Sequence, residues 1–213
     1  MPRLHIAKSG RGRSLALLPP APHTGAFFDD FVPALDGMEA LCVDYPGYGG
    51  SENIPAPSIS GYAEAIAPHL PDGAALLGFH TGTLVAVEIA RRMEAGAVIL
   101  VDIPAFDACR RAELARTFRE KSQADPTRND AAFQAAFAYD ARETFPTLAR
   151  PVDVIATQSS LLEPTRDAAG WLPGATLHER TDVTAPAFGD ERLAALVMTL
   201  VKSAQGGGSR DGA

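Results

Sequence analysis

Among the residues able to carry chemistry in this 213-residue chain, one of the five histidines stands out by its setting. His80 lies inside the run Gly78-Phe79-His80-Thr81-Gly82, where glycines two places away on either side allow a sharp turn. An imidazole at the tip of such a turn can accept or donate a proton near neutral pH. A carboxylate is needed to orient the ring, and Asp102 is the candidate. The N–H of Thr81, at the start of a helix, would hold an anionic or carbonyl oxygen. Such a site needs no serine, and it serves isomerisation, elimination, decarboxylation-type chemistry or attack by water.

The elements that must position these groups are legible from apolar spacing. Residues 74–77 form a short apolar run, and after the glycine-bounded turn Leu84, Val85, Ile89 and Met93 recur at helical intervals. The pattern predicts strand, tight turn, helix. Residues 4–7 and 15–18 read as antiparallel strands, the second entering the interior of the sheet and stopped by Pro19-Pro20. Residues 26–35 place Phe27, Phe28, Phe31 and Leu35 on one face of a short helix, and 39–45 is a buried strand. Residues 59–70 predict an amphipathic helix capped by Ser58 or Ser60. Further strands are expected at 97–102, 152–156 and 175–179, with helices at 164–172 and 190–201. This alternation predicts an α/β fold with a mostly parallel sheet covered by helices on both faces.

In such sheets ligands bind beyond the carboxyl ends of the strands. The loops at that edge would bring His80, Thr81, Asp102, His23, Ser51, Ser159, Ser160 and Asp182 toward one crevice. Each residue also has a purely structural reading. His80 and Ser159-Ser160 fit as turn residues bonded to local backbone, Asp102 as a cap on the next segment, and His23 as an ordinary exposed loop histidine.

The run Gly78-Phe79-His80-Thr81-Gly82 resembles the nucleophile elbow of the α/β-hydrolase superfamily, Gly-x-Ser-x-Gly, with histidine in the place of serine. Upstream, Asp44-Tyr45-Pro46-Gly47-Tyr48-Gly49-Gly50-Ser51 looks like the loop that follows an earlier strand in the same family. The resemblance extends over about residues 4–204 and implies a hydrolase-class ancestor acting on small acyl or related substrates, with a small lid at about 104–150. It also implies an acid after the strand at 152–156 and a histidine after the last strand. Gln158-Ser159-Ser160 stands at the first place, Glu163 being the nearest acid, and residues 181–186 hold no histidine. Pro19-Pro20 replaces the family's His-Gly pair, and proline has no N–H to offer an oxyanion.

Composition narrows the partners. A formal net charge of −7 without a basic stripe argues against nucleic acid. No segment is long and apolar enough to span a membrane, no signal peptide is recognisable, and Cys42 and Cys109 lie far apart with no metal-ligand spacing. A single domain over 1–205 with a flexible tail at 206–213, in the cytoplasm, is expected. The expected partner is a small-molecule substrate or ligand, with no cofactor and no metal; the oligomeric state is left open.

Two readings follow. One is an enzyme with a serine-independent site centred on His80, doing hydrolase- or lyase-like chemistry; the other is an inactive α/β-hydrolase-fold protein that keeps a pocket for binding. The active reading calls for a ring nitrogen of His80 at hydrogen-bond distance from a carboxylate, about 2.6–3.2 Å, in an enclosed pocket. Fluorophosphonate reagents, which capture activated serines, are expected to leave the protein unlabelled. Mass-spectrometric detection of adducts at Ser51, Ser159 or Ser160 would move the nucleophile there instead.

Overall fold

Strand β2 (Arg13–Leu18) ends in four fully buried residues, Leu15 to Leu18, and a segment buried on both faces needs a neighbour along each edge. A computed structural model, which describes residues 2–184 and 190–204, supplies those neighbours as β3 (Met38–Val43) and β4 (Ala75–Phe79), both parallel to β2. The whole sheet has seven strands in the order β1-β3-β2-β4-β5-β6-β7, where β1 is Ile6–Gly10, β5 Val98–Val101, β6 Val152–Gln158 and β7 Ala175–Thr184. Only β1 runs antiparallel to its neighbour. The α/β class and the mostly parallel, helix-flanked sheet expected from the sequence are both present.

Alternation along the strands divides the interior into two layers. Ala16, Leu18, Leu41, Val43 and Leu76 face one core, together with α1 (Ile59–Ile66) and α2 (Thr81–Ala90). Leu15, Leu17, Ala40, Cys42, Leu77 and Phe79 face the other, against Phe28, Phe31 and the apolar face of α7 (Glu191–Ser203). A fully buried leucine of this kind contributes about 1.5–3 kcal/mol relative to an exposed one.

Several elements differ from the sequence reading for identifiable reasons. β1 and β2 are not neighbours, because β3 lies between them. The connection crosses the start of β3 on Gly10 and Gly12 (φ +80° and +125°), where a Cβ would lie 2.3 Å from the Met38 oxygen and 2.1 Å from the Gly37 oxygen. The aromatic stretch at 26–35 forms two 3-10 turns, Gly25–Phe28 and Val32–Ala34, the second with Pro33 in its first turn. Helix α1 is capped by Ser58, whose hydroxyl accepts from Gly61 N at 2.9 Å, and gives way at Pro68 to a 3-10 turn. Strand β7 runs on to Thr184, so Thr181 and Asp182, expected in a loop, belong to it. The polar tail at 206–213 lies outside the described residues.

Residues 104–150 contain α3 (Ala108–Ala124), α4 (Ala131–Ala138) and a short α5 (Ala141–Thr144). Helix α3 has no fully buried residue and packs chiefly on α4, where the ring of Phe118 meets Phe133 at 4.4 Å and Phe137 at 5.3 Å. Helix α4 lies nearer the body: the Tyr48 hydroxyl donates to Asn129 O and accepts from Ala132 N. After β6 comes α6 (Leu162–Ala169).

A tight backbone junction joins β4, β2 and α2. A Cβ on Gly82 would stand 2.0 Å from the Leu18 oxygen, and one on Gly78 would stand 2.4 Å from the Gly82 oxygen. Both clashes are with backbone, which cannot swing aside as a side chain does. Gly82→Ala is expected to cost about 3 kcal/mol or more, read as a lowered midpoint in urea unfolding. A loss under 1 kcal/mol would show that the junction yields more easily than this packing implies.

Candidate functional site

His80 links β4 to α2 with φ 49° and ψ −117°, a conformation that costs a non-glycine residue on the order of 1–3 kcal/mol. Its neighbours hold it there. His80 N donates to Val101 O (3.0 Å), while His80 O accepts from Thr83 N (2.9 Å) and from the fully buried Thr83 hydroxyl (2.6 Å). The ring stacks on Phe79, centroids 4.1 Å apart, and is one-third exposed at 33%. Its Nε2 is buried without a hydrogen bond and lies 3.9 Å from Asp102 Oδ2.

That separation exceeds the 2.6–3.2 Å that the active reading called for. The reason lies on the far side of the carboxylate. Asp102, fully buried at φ 53°, accepts from Thr157 N through Oδ1 (2.8 Å) and from the Thr157 hydroxyl through Oδ2 (2.6 Å). Its own N–H donates to Ile155 O (3.0 Å). Burial pushes the Asp102 carboxyl up, but the nearby His80 imidazole and the two Thr157 bonds outweigh it, so the net direction is down. His80 Nε2 stands 3.9 Å from the carboxylate, and the short bonds to it are those from Thr157.

Thr157 escaped the sequence reading, since nothing in composition or spacing joins it to a residue 55 positions earlier. The signal that could have found it is strand register. Parallel pairing of Val101 with Ile155 brings Asp102, just beyond β5, alongside the last residues of β6, Thr157 among them.

The remaining candidates are distributed differently. Thr81, buried, opens α2, so its N–H belongs to the first turn, whose donors have no partner within the helix. His23 is exposed, yet its ring lies 5.0 Å from Phe27, which stacks on Phe79 at 5.5 Å, so an aromatic row connects it to the His80 ring. The Ser51 hydroxyl is engaged by structure, donating to Asp44 O (2.8 Å) and accepting from His5 N (2.9 Å). That loop is built on Asp44, whose carboxylate accepts from Gly25 N, Gly50 N and His5 Nδ1 at 2.8–2.9 Å. Gly49 (φ +52°) closes against the same carboxylate, leaving no room for a Cβ.

Ser160 is exposed in the turn after β6, where the Ser159 hydroxyl accepts from Leu161 N at 3.1 Å. Asp182 is an exposed member of β7. Two hydrogen bonds from Arg180, with Arg192 further off, hold its carboxyl down at about 2. The structure therefore gathers His80, Thr81 and Asp102, with His23 reached through the aromatic row; Ser51 and Asp182 are engaged elsewhere. Cys42 and Cys109 are unpaired, and burial pushes the Cys42 thiol up to about 11. Among the described residues no group of three or more His, Cys, Asp or Glu could hold a metal ion, and no helix is long and apolar enough to cross a membrane.

Comparison with known proteins places this geometry in a family. Over 69 residues the chain is 42% identical to a pimeloyl-[acyl-carrier protein] methyl ester esterase from Sodalis glossinidius, which covers 31% of this chain and 27% of that protein. A protein of the same description from Vibrio cholerae is 36% identical over 88 residues, 41% of this chain and 34% of its own length. The chain thus matches about a third or less of these relatives' lengths. Among solved structures, an esterase from Exiguobacterium antarcticum superposes with a TM-score of 0.78 over 94% of this chain and 96% of its own, at 16% identity. A thermophilic esterase from Thermogutta terrifontis gives 0.75 over 95% and 94%, at 19% identity. At such identities the likeness concerns the fold, which is that of the α/β-hydrolases. The family model described as Thioesterase domain matches residues 13–197, and the chain belongs to that family.

Proposed function

We propose that the chain is an esterase- or thioesterase-like enzyme of this family whose site works without a serine, with His80 as its proton-transfer group. The observation that carries the reading is the joint setting of His80: a strained backbone, a buried Nε2 facing a buried carboxylate, and a ring edge left open. Asp102, kept ionised by Thr157, stabilises the imidazolium that forms when the ring takes a proton. Nε2 faces Asp102, so Nδ1 is the nitrogen that takes a proton from water or from substrate.

In hydrolysis, water oxygen bonds to the acyl carbon as its proton passes to Nδ1. The carbonyl electrons move onto oxygen, which the Thr81 N–H receives. Collapse of that adduct breaks the bond to the leaving thiolate or alkoxide, which takes the proton back from the imidazolium. The relatives' description as methyl ester esterases and the family both support a small ester or thioester as substrate. Elimination on a small hydroxylated substrate uses the same proton transfer.

A specific observation favours a second reading, an inactive binding protein. The His80–Asp102 separation is 3.9 Å without a hydrogen bond, and Pro19-Pro20 stands where the family offers a backbone donor. Turnover decides between the two. In a panel of short-chain thioesters, esters, lactones and 2-hydroxynitriles, wild type is expected to act on at least one. His80→Ala, shown folded by circular dichroism, should lose about a hundredfold or more of that rate. Equal rates for the two proteins, or rates equal to buffer for both, would leave the binding reading.

Thr157 provides a separate check on the carboxylate. Thr157→Val should cost about 1–3 kcal/mol at neutral pH by removing a bond to a buried charge. Asp102 has a lowered folded-state pKa, so its stabilising effect is present above the ordinary value of 3.8 and fades as pH falls through the lower folded value. The stability gap between wild type and Thr157→Val should therefore narrow in acid. Urea unfolding at neutral pH and at acid pH reads this directly, and a gap independent of pH would mean that Asp102 is not held as an anion.

A further inference from the structure

On the β1 side of the sheet a second imidazole faces a buried carboxylate, and here the two are bonded. His5 Nδ1 stands 2.9 Å from Asp44 Oδ2, inside the range that proton-transfer pairs adopt, where His80 Nε2 is 3.9 Å from its carboxylate. His5 and Asp44 lie one step beyond the antiparallel pair Ile6–Val43, at the carboxyl end of the parallel strands. Ligands of such sheets bind at that edge.

The bond fixes which nitrogen is free. The other partners of the Asp44 carboxylate, Gly25 N and Gly50 N, are donors, and a carboxylate has no proton to give. Nδ1 therefore carries the ring hydrogen, and Nε2 keeps an open lone pair. The residue is held on its other sides as well: His5 N donates to the Ser51 hydroxyl (2.9 Å) and His5 O accepts from Asp44 N (3.1 Å). Gly50 packs so close that a Cβ there would stand 3.0 Å from His5 Cγ. The side chain is still 55% exposed, and the edge bearing Nε2 and Cε1 is the one these contacts leave open. Among the described residues Nε2 has no partner.

His5 and Asp44 border a cleft of about 410 Å3 together with Thr24, Val32, Pro33 and Cys42; neither His80 nor Asp102 borders it. Its ionic groups are His5, Asp29 and Asp44, with no lysine or arginine. Burial, with Asp29 and Asp44 nearby, pushes the Cys42 thiol up to about 11, so the sulfur stays protonated and water is left as the nucleophile.

We propose that His5 and Asp44 form a second proton-transfer centre, in which Nε2 is the general base for hydrolysis of small uncharged esters seated in this cleft. Water oxygen bonds to the acyl carbon as its proton passes to Nε2, and the carbonyl electrons move onto oxygen. Collapse breaks the bond to the alcohol oxygen, which leaves as the alkoxide or phenolate and recovers the proton from Nε2. Asp44 is the positioning residue, holding the ring and its tautomer. The volume suits a ligand of this size, and the two carboxylates disfavour an anionic one. This centre is independent of the chemistry assigned to His80.

The test uses the His80→Ala protein, so its outcome does not depend on what His80 does. That protein should hydrolyse p-nitrophenyl acetate above the buffer rate, and mono-p-nitrophenyl succinate, which carries a carboxylate, about fivefold more slowly. Adding His5→Asn, whose amide can replace Nδ1 as the donor to Asp44 but has nothing at Nε2, should lower the buffer-corrected rate at least about tenfold. His69→Asn, at an exposed histidine, should leave it unchanged. Should His5→Asn fail to fold by circular dichroism, diethyl pyrocarbonate serves on the folded His80→Ala protein: loss of rate should follow carbethoxylation of His5, read by peptide mass spectrometry, and not that of His69. No rate above buffer, a rate that survives His5→Asn or carbethoxylation of His5, an equal loss in His69→Asn, or equal rates on the two esters would overturn the proposal.

Discussion

The rest of the structure depends on a contact that leaves no space for a side chain: the α-carbon of Gly82 against the carbonyl of Leu18. Because α2 starts so close to β2, the chain leaving β4 must reverse within one residue, and that residue is His80, at φ 49°. Strain on this scale persists only where the surroundings determine the conformation. Here they do so through the bonds of the His80 backbone to Val101 and Thr83. Steric exclusion at one glycine thus fixes where an imidazole stands relative to Phe79 beneath it and Asp102 beside it.

The second determinant is electrostatic. A carboxylate with no exposed surface would ordinarily take up a proton, yet Asp102 is held as the anion because His80 lies close and Thr157 supplies two donors. At the neighbouring loop the buried Asp44 carboxylate accepts from two backbone N–H groups and from His5. The two sites differ in what they leave open. Around Asp44 every donor belongs to the architecture, whereas beside Asp102 an imidazole nitrogen stays unbonded. Family membership does not settle what such a nitrogen does, since a fold can hold many chemistries.

Much of the fold was legible because its signals are local. Buried runs such as 15–18 and 74–77 and the helical spacing of Leu84, Val85 and Ile89 act over a few residues. The tight turn at His80 was legible too, from its two glycines. What sequence could not supply were long-range facts. The insertion of β3 between β1 and β2 is a matter of topology. The length of β7 follows from pairing with β6, since Glu179-Arg180-Thr181-Asp182 is too polar to read as strand by apolar content. Engagement of Ser51 by His5, and of Asp102 by Thr157, depends on partners 46 and 55 positions away. The aromatic residues at 26–35 did announce burial, but Pro33 and the tight packing of Gly25 against Cys42 turned a predicted helix into two short turns.

Helix α3 stands apart from this determined centre. Its seventeen residues rest on a neighbour helix through Phe118 and bury no side chain completely, so little apolar surface is gained when it docks. Segments with so few buried contacts open with small free energies while the body stays folded. Among the ordered elements, its outer turns are thus where backbone amides should surrender deuterium protection first, long before the strands around β4 release theirs.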